Sequence, residues 1–388
     1  MAQPSAFVAH GGGPTSVLNS SLRGLMEQCH AARLAHLWAP RGGLPGVLRH
    51  DVLDLLSLPR RQMRALGRQV GSVIGSFRGA ITPKDLEATI EFFRRHDIRY
   101  CFYTGGNGSM QTALELSATA RRLNYPLATI GIPKTVDNDL CQTDHSPGFG
   151  SAARFVVTAV REIGLDQRAL PTPVSIVEVM GRNAGWLAAA SLLARRRRDD
   201  PPHFIYIPES AFNPSEFLTR VDGLLRRQGW VVGVVAEGLK DDRGRPIAAS
   251  GGSSRDARGR PLPGNVAAAL ARLVSRELKV RARSEKPGIL CRAFSLSQSS
   301  VDAEEARAIG GFGLRAALQG ETDAMVAIER LPSKRYRIRL RLVPLSEVAS
   351  RERHLPNRFL SEPGQIQASY RSYATPLIGQ PLPPALYL

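Results

Sequence analysis

Asp137 and Asp139 stand two residues apart in Pro133-Lys134-Thr135-Val136-Asp137-Asn138-Asp139, beside a lysine, a threonine and an amide. Carboxylates at that spacing can hold Mg2+ or accept the proton of a hydroxyl, and Lys134 can neutralise a phosphate. An Asx-rich turn is the plainer alternative for the same residues. Two further turns are rich in glycine. Gly11-Gly12-Gly13-Pro14-Thr15-Ser16 lets the backbone approach an anion and leads into a helix whose first N–H groups are unpaired, although a tight strand-to-helix turn would use the same glycines. Thr104-Gly105-Gly106-Asn107-Gly108-Ser109 leaves the chain without side-chain cover, and Ser109 is expected to cap the next helix while donating to an oxygen. A single glycine motif is weak; three turns of this kind, each after a strand and before a helix, are far more specific.

Turns of this kind need strands to carry them. Short apolar runs predict strands at Ala6–His10, Leu34–Trp38, Tyr100–Tyr103, Leu127–Gly131, Val174–Val179, Phe204–Ile207, Val231–Ala236 and Ala324–Ile328. Segments of helical period predict helices at Val17–Ala31, Pro83–His96, Met110–Leu123, Ser151–Ile163, Ala184–Arg195, Pro214–Arg227, Val266–Arg276 and Ala303–Gln319. Their alternation is the sequence form of an α/β fold with mostly parallel sheets, in which ligands collect at the carboxyl ends of strands. Asp241–Pro263 reads as a surface loop, and the tail from Leu331, with strand-like Tyr336–Leu342, reads as a packed extension. A domain change is expected near Pro147–Ser151.

Composition narrows the function classes. The 388 residues are 43% apolar and 22% charged, which suits two to three globular domains and excludes a disordered or fibrous chain. No apolar run is long enough to cross a bilayer and no signal peptide is apparent, so a cytoplasmic protein without a membrane partner is expected. The four cysteines, Cys29, Cys101, Cys141 and Cys291, are too dispersed for a zinc cluster or a disulfide framework. A net charge of +18 attracts polyanions generally, phosphorylated metabolites among them. The basic residues are scattered apart from Arg195–Arg198, and no nucleic-acid-reading motif is present, so nucleic acid ranks last among partners. That run sits at the end of a predicted helix, where cations complement the dipole.

The three turns, together with Ile74-Gly75-Ser76-Phe77-Arg78, Val177-Glu178-Val179-Met180-Gly181-Arg182-Asn183-Ala184-Gly185-Trp186 and Ala236-Glu237-Gly238, resemble the A-type 6-phosphofructokinase family. The motifs occur in the family's order and span residues 6 to about 330. The resemblance implies two Rossmann-like three-layer domains with the active site in the cleft between them. One would bind the phosphoryl donor (1–146 with about 290–345) and the other the sugar phosphate (147–289 with 346–388). It implies a 6-phosphofructokinase: Mg2+-dependent phosphoryl transfer from ATP or pyrophosphate to the 1-hydroxyl of fructose 6-phosphate. A homodimer or homotetramer is implied as well.

Residue by residue, Asp137 matches the family's general base, Asp139 the second acid supporting it and the metal, and Thr135 and Lys134 the positions lining the reacting phosphate. Asn107 and Asp137 are the implied metal ligands. Gly12 and Arg78 match positions gripping the donor, together with the turn Gly106, Asn107, Gly108 and Ser109. Met180, Gly181 and Arg182 match the sugar-binding signature, Glu237 a carboxylate accepting sugar hydroxyls, and Arg283 and Arg292 a 6-phosphate clamp, for which the bidentate guanidinium is suited. Three positions depart from the pattern. Asn107 replaces an aspartate, Pro173 a basic residue reaching a neighbouring subunit's sugar phosphate, and Ile289 a histidine or tyrosine. These departures leave a catalytically weak regulatory relative as the alternative of another class. The donor evidence is mixed: Gly108 leaves room for a nucleotide's α-phosphate, while Lys134 and the tail Tyr373-Ala374-Thr375-Pro376-Leu377-Ile378 look like the pyrophosphate branch. Because an acidic side chain at Gly108 would exclude a nucleotide more firmly than Lys134 selects pyrophosphate, ATP is slightly favoured on sequence.

Overall fold

The computed structural model describes residues 4–170, 172–248 and 264–383. In chain order its strands are β1 Ser5–His10, β2 Leu37–Pro40, β3 Val52–Asp54, β4 Ile98–Gly105, β5 Ala128–Pro133, β6 Val174–Val179, β7 Phe204–Tyr206, β8 Val231–Ala236, β9 Ala282–Glu285, β10 Ala324–Arg330 and β11 Ile338–Pro344. They form two sheets in two compact units, Met1–Gly148 with Ser300–Arg353, and Phe149–Ser299 with His354–Leu388. The chain therefore passes between units at 148, 299 and 353, whereas the sequence reading put the changes at 146, about 290 and 345.

In the first unit the sheet order is β11-β10-β5-β4-β1-β2-β3. Its central strands run parallel, and antiparallel β11 and β3 close the two edges. One face packs on the helices Leu18–Ala31 and Ser300–Leu318 through Leu22, Leu25, Met26, Ile309 and Leu314. The other packs on Pro83–Arg95 and Asn107–Arg122 through Ile90, Phe93, Met110 and Leu116. The two helices on the first face touch backbone to backbone: a Cβ on Gly24 would lie 1.9 Å from the Arg307 carbonyl oxygen. Gly24→Ala is therefore expected to lower the melting temperature. The helix-propensity gain of up to about 1 kcal/mol is outweighed by overpacking that costs about 1–3 kcal/mol, and thermal denaturation checks the sign.

In the second unit β7-β8-β6-β9 are all parallel. Their apolar residues are buried against the helices Pro214–Gln228 and Val266–Leu278. Among the described residues no helix is long and apolar enough to cross a membrane.

Several elements differ from the sequence reading for identifiable reasons. The second strand begins at Leu37 rather than Leu34, because Arg33 adopts a left-handed turn conformation at φ 56° before it. The predicted helix Ala184–Arg195 contracts to Trp186–Ala190 and a 3-10 turn Ser191–Ala194; its intended first residues are drawn into a loop where the Gly185 N–H donates to Glu209. Met110–Leu123 becomes Asn107–Arg122, and Ser151–Ile163 becomes Phe149–Ala169. Polar β9, Ala-Arg-Ser-Glu, carried no apolar signal and was missed. The strand-like Tyr336–Leu342 is β11, and the tail packs through Tyr370 and Tyr373 on Trp186. Of the predicted loop Asp241–Pro263, residues 249–263 lie outside the described residues.

Candidate active site

Strands β5, β4 and β1 are neighbours, so the turns that follow them emerge side by side at their carboxyl ends. The Gly11 N–H donates to the Thr104 carbonyl at 2.8 Å, and the Lys134 N–H to the Gly105 carbonyl at 3.0 Å. A fourth segment joins them: the Gly12 N–H donates to the Phe77 carbonyl at 2.9 Å and the Ser76 hydroxyl to the Gly12 carbonyl at 2.7 Å. This places Arg78, which is exposed, next to Gly12. Glycine is required where the first two turns meet, since a Cβ on Gly11 or Gly105 would fall 2.3 Å or 2.0 Å from the Ser109 hydroxyl oxygen.

That packing corrects the expectation for Ser109. The helix starts at Asn107, with Gly106 at its N-cap position and no side chain capping it. Ser109 is buried inside the first turn against the glycines. The Ser109 N–H donates to the Gly106 carbonyl at 2.8 Å, and the amides of Asn107 and Gly108 at the start of the helix are the ones suited to an anion.

Lys134 is only 3% exposed. Its ammonium donates to the carbonyls of Gly11 at 2.9 Å and Gly13 at 2.6 Å, so one side chain fixes the first glycine turn to the acid loop. His10 lies in the same region, and burial together with Lys134 pushes its pKa down to about 3, so the imidazole is neutral beside the ammonium.

In the acid loop, Thr135 is tied by its N–H to the Pro147 carbonyl, and its hydroxyl oxygen accepts from the Asp137 N–H at 3.1 Å. Asn138, between the acids, is fully buried at φ 55°, a conformation asparagine tolerates, and its side-chain oxygen accepts from the Ser146 N–H at 3.0 Å. Burial raises the Asp139 pKa, while the Thr135 hydroxyl and Arg353 act against that rise. Asp137 is half-buried.

The residue that the structure brings to Asn107 is Asp139: the Asn107 amide nitrogen donates to its Oδ2 at 3.0 Å. Asn107 Oδ1 and Asp139 Oδ1 are both buried and, among the described residues, make no hydrogen bond. Two orphaned hard oxygens fit Mg2+, which keeps several waters and takes one or two protein oxygens besides substrate phosphates. Asp139, expected to support the metal, thus stands with Asn107 as a candidate ligand, alongside Asp137. Among the described residues no group of three acidic, histidine or cysteine side chains forms a self-sufficient metal cage.

The residues expected to hold the acceptor lie in the second unit. Met180, Gly181 and Arg182 follow β6 and Glu237 follows β8, so these adjacent parallel strands deliver them to one end of the sheet. Burial, with Glu178 beside it, raises the Glu237 pKa, and Arg182, Lys286 and the Gly181 N–H oppose the rise. Glu178 is itself held by Lys286 at 2.6 Å and by the Ala267 N–H at 2.9 Å. The loop is pinned at its far end by Glu209, whose Oε1 accepts from Gly185 and Leu355. Arg292 follows β9 in a 3-10 turn. Arg283 pairs in register with Ser175, at the opposite end of β6 from Met180. The structure thus assembles Met180, Gly181, Arg182 and Glu237, and it leaves Arg283 apart from them within one chain. Pro173 caps the strand pair by accepting from the Val231 N–H, and Ile289 is 68% exposed.

Sequence reasoning missed Arg353 and Lys286, and it gave no role to Glu178 within the quoted motif. The Arg353 guanidinium donates to the carbonyls of Asn138, Thr143 and Asp144, and its N–H to that of Asp139. It lies more than 200 residues from the loop it holds, a pairing that no local pattern signals.

Comparison with known proteins bears on the family. The phosphofructokinase family profile matches residues 5–310. The pyrophosphate--fructose 6-phosphate 1-phosphotransferase of Halomonas elongata is 38% identical over 398 residues, covering 99% of this chain and 94% of the relative. An ATP-dependent 6-phosphofructokinase of Amycolatopsis methanolica is 32% identical, covering 90% and 75%. The crystal structure of a pyrophosphate-dependent phosphofructokinase from Marinobacter aquaeolei superposes with a TM-score of 0.88 at 36% identity, over 99% of this chain and 94% of that one.

Proposed function

The chain belongs to the phosphofructokinase family, and from that premise we propose that it moves a phosphoryl group from pyrophosphate to the 1-hydroxyl of fructose 6-phosphate. The observation that carries this reading is the seat of Lys134 beneath the first glycine turn, next to a loop bearing two acids. In the reaction the 1-oxygen bonds to phosphorus, a P–O bond of the donor breaks, phosphate leaves, and the hydroxyl proton passes to Asp137. An ordinary Asp, with a pKa near 3.9, is a weak base. That suits a loose transition state in which the proton leaves late and positioning with charge neutralisation supplies most of the acceleration. Lys134, Arg78 and the amides of the glycine turns neutralise and orient the donor; Met180, Gly181, Arg182 and Glu237 hold the sugar, with Arg292 toward its phosphate, while Arg283, set apart from them, has no part in this chain's own site. Bound through Asn107 and Asp139, with Asp137 as a further ligand, Mg2+ would offset donor charge.

The unit Met1–Gly148 with Ser300–Arg353 takes the donor role in this proposal and the other unit the acceptor role. A cytoplasmic homodimer or homotetramer, with neither membrane nor nucleic acid as partner, belongs to the same reading. Pyrophosphate is preferred over ATP because relatives named for it match nearly the whole chain at 36–38% identity. ATP remains the second reading on one observation, the bare Gly108. The test is purified protein with Mg2+ and each donor in turn, scored as fructose 1,6-bisphosphate formed. Turnover with pyrophosphate is expected. Gly108→Asp should spare that turnover and suppress any ATP use; an ATP rate untouched by the substitution would overturn the steric argument. No turnover with either donor would favour the regulatory relative.

A further inference from the structure

The acid loop rests on a buried charge network that the reaction described above does not use. His145 is 2% exposed, and its Nδ1 lies 2.8 Å from Asp144 Oδ1 and its Nε2 2.7 Å from Glu305 Oε2. Carboxylates only accept, so both ring nitrogens donate and the imidazole is a cation. The Tyr336 hydroxyl donates to Glu305 Oε1 at 2.5 Å, Arg330 pairs with Asp144 at 3.0 Å and stacks on the Tyr336 ring, and Arg353 reaches the Asp144 carbonyl. These are the charged and titratable groups facing His145 from its own loop, from the helix Ser300–Leu318, from β10 and from the segments flanking β11.

The network is mechanically joined to the acids. Asn138, between Asp137 and Asp139, accepts from the N–H of Ser146, the residue after His145. Arg353 bonds the Asn138 carbonyl and those of Thr143 and Asp144 with one guanidinium. Residues 138 and 143–146 therefore form one body. His145 fastens that body to Glu305, one turn along the same helix from Asp302, whose Oδ1 accepts from the N–H of Gly148 at the end of the loop segment.

We propose that His145 is a positioning residue for phosphoryl transfer: by donating to Asp144 and Glu305 at once, it locks the loop carrying Asp137 and Asp139 against the helix Ser300–Leu318. This rests on the function proposed above. Burial alone would lower the imidazole pKa, but Glu305 and Asp144 outweigh it and lift the group from 6.5 to about 9. The sign follows: the lock is complete below pH 6.5 and is lost as pH rises toward 9.

The test measures kcat and KM across pH 6–10 for the wild type, His145→Gln and Glu305→Gln. A loop displaced by about 1 Å can cost about 100-fold in rate, so His145→Gln should lower kcat by about 10- to 100-fold with KM for fructose 6-phosphate unchanged, and it should lack the wild type's decline near pH 9. Glu305→Gln keeps the shape but removes one charge. Its decline should move toward the ordinary histidine range, with activity lost at pH 8 and recovered at pH 6, a recovery that mere unfolding would not give. An active wild type whose profile both variants share overturns the proposal alone. A wild type silent with both donors overturns the reaction assignment and this proposal with it. If His145→Gln does not fold, Glu305→Gln decides by whether its decline shifts.

Discussion

Asp137→Asn is expected to lower kcat by about 10²- to 10⁴-fold, the range that a positioned base contributes, while fructose 6-phosphate still binds. The loop should survive, because its shape rests on main-chain groups and on other side chains: the Asp137 N–H on the Thr135 hydroxyl, Asn138 on Ser146, and Arg353 on three carbonyls. The asparagine is isosteric and cannot take the proton. Sugar-phosphate affinity should persist because Met180, Gly181, Arg182 and Glu237 belong to the other unit. Steady-state kinetics paired with calorimetric titration of fructose 6-phosphate separates the two effects. Turnover within a fewfold of wild type would remove Asp137 from the role of base.

Lys134→Met should damage both the fold and the reaction. The buried ammonium satisfies the carbonyls of Gly11 and Gly13, and a thioether side chain of similar length satisfies neither. Each buried acceptor left unpaired costs about 1–3 kcal/mol, so a clear drop in melting temperature is expected. At the same time the donor loses a cation held at a fixed point, and the first glycine turn loses its tie to the acid loop. Donor affinity and kcat should both fall, more than for exposed Arg78→Ala. Thermal denaturation with donor titration reads the two losses, and a variant of wild-type stability would contradict the structural role.

What the sequence disclosed follows from the range of the interactions involved. The bounds of β6 and β8 were legible to the residue, because runs of valine and isoleucine between turn residues leave little choice. The three turns were legible because glycine and Asx residues are local punctuation. Ser109 misled: its type suits a cap, but the approach of Gly11 and Gly105 holds it inside the turn. Lys134 was recognised as a cation without its seat, since Gly11 and Gly13 are more than 120 residues away. Asn107 was grouped with both acids, but that its amide donates to Asp139 is a contact no local pattern states. Lys286 on Glu178, Arg353 on the acid loop and His145 on Glu305 are pairings between distant segments, written in the topology alone.

The first sheet is stitched from two distant stretches of chain, since β10, the outer neighbour of β5, lies in the second of them. During synthesis at roughly 5–20 residues per second, β5 must wait about 10–40 s after leaving the ribosome before β10 exists to cover its edge. For that interval a nascent protein displays an open, apolar β-edge containing Ile130 and Ile132, and a molecular chaperone or a second nascent chain can claim it first.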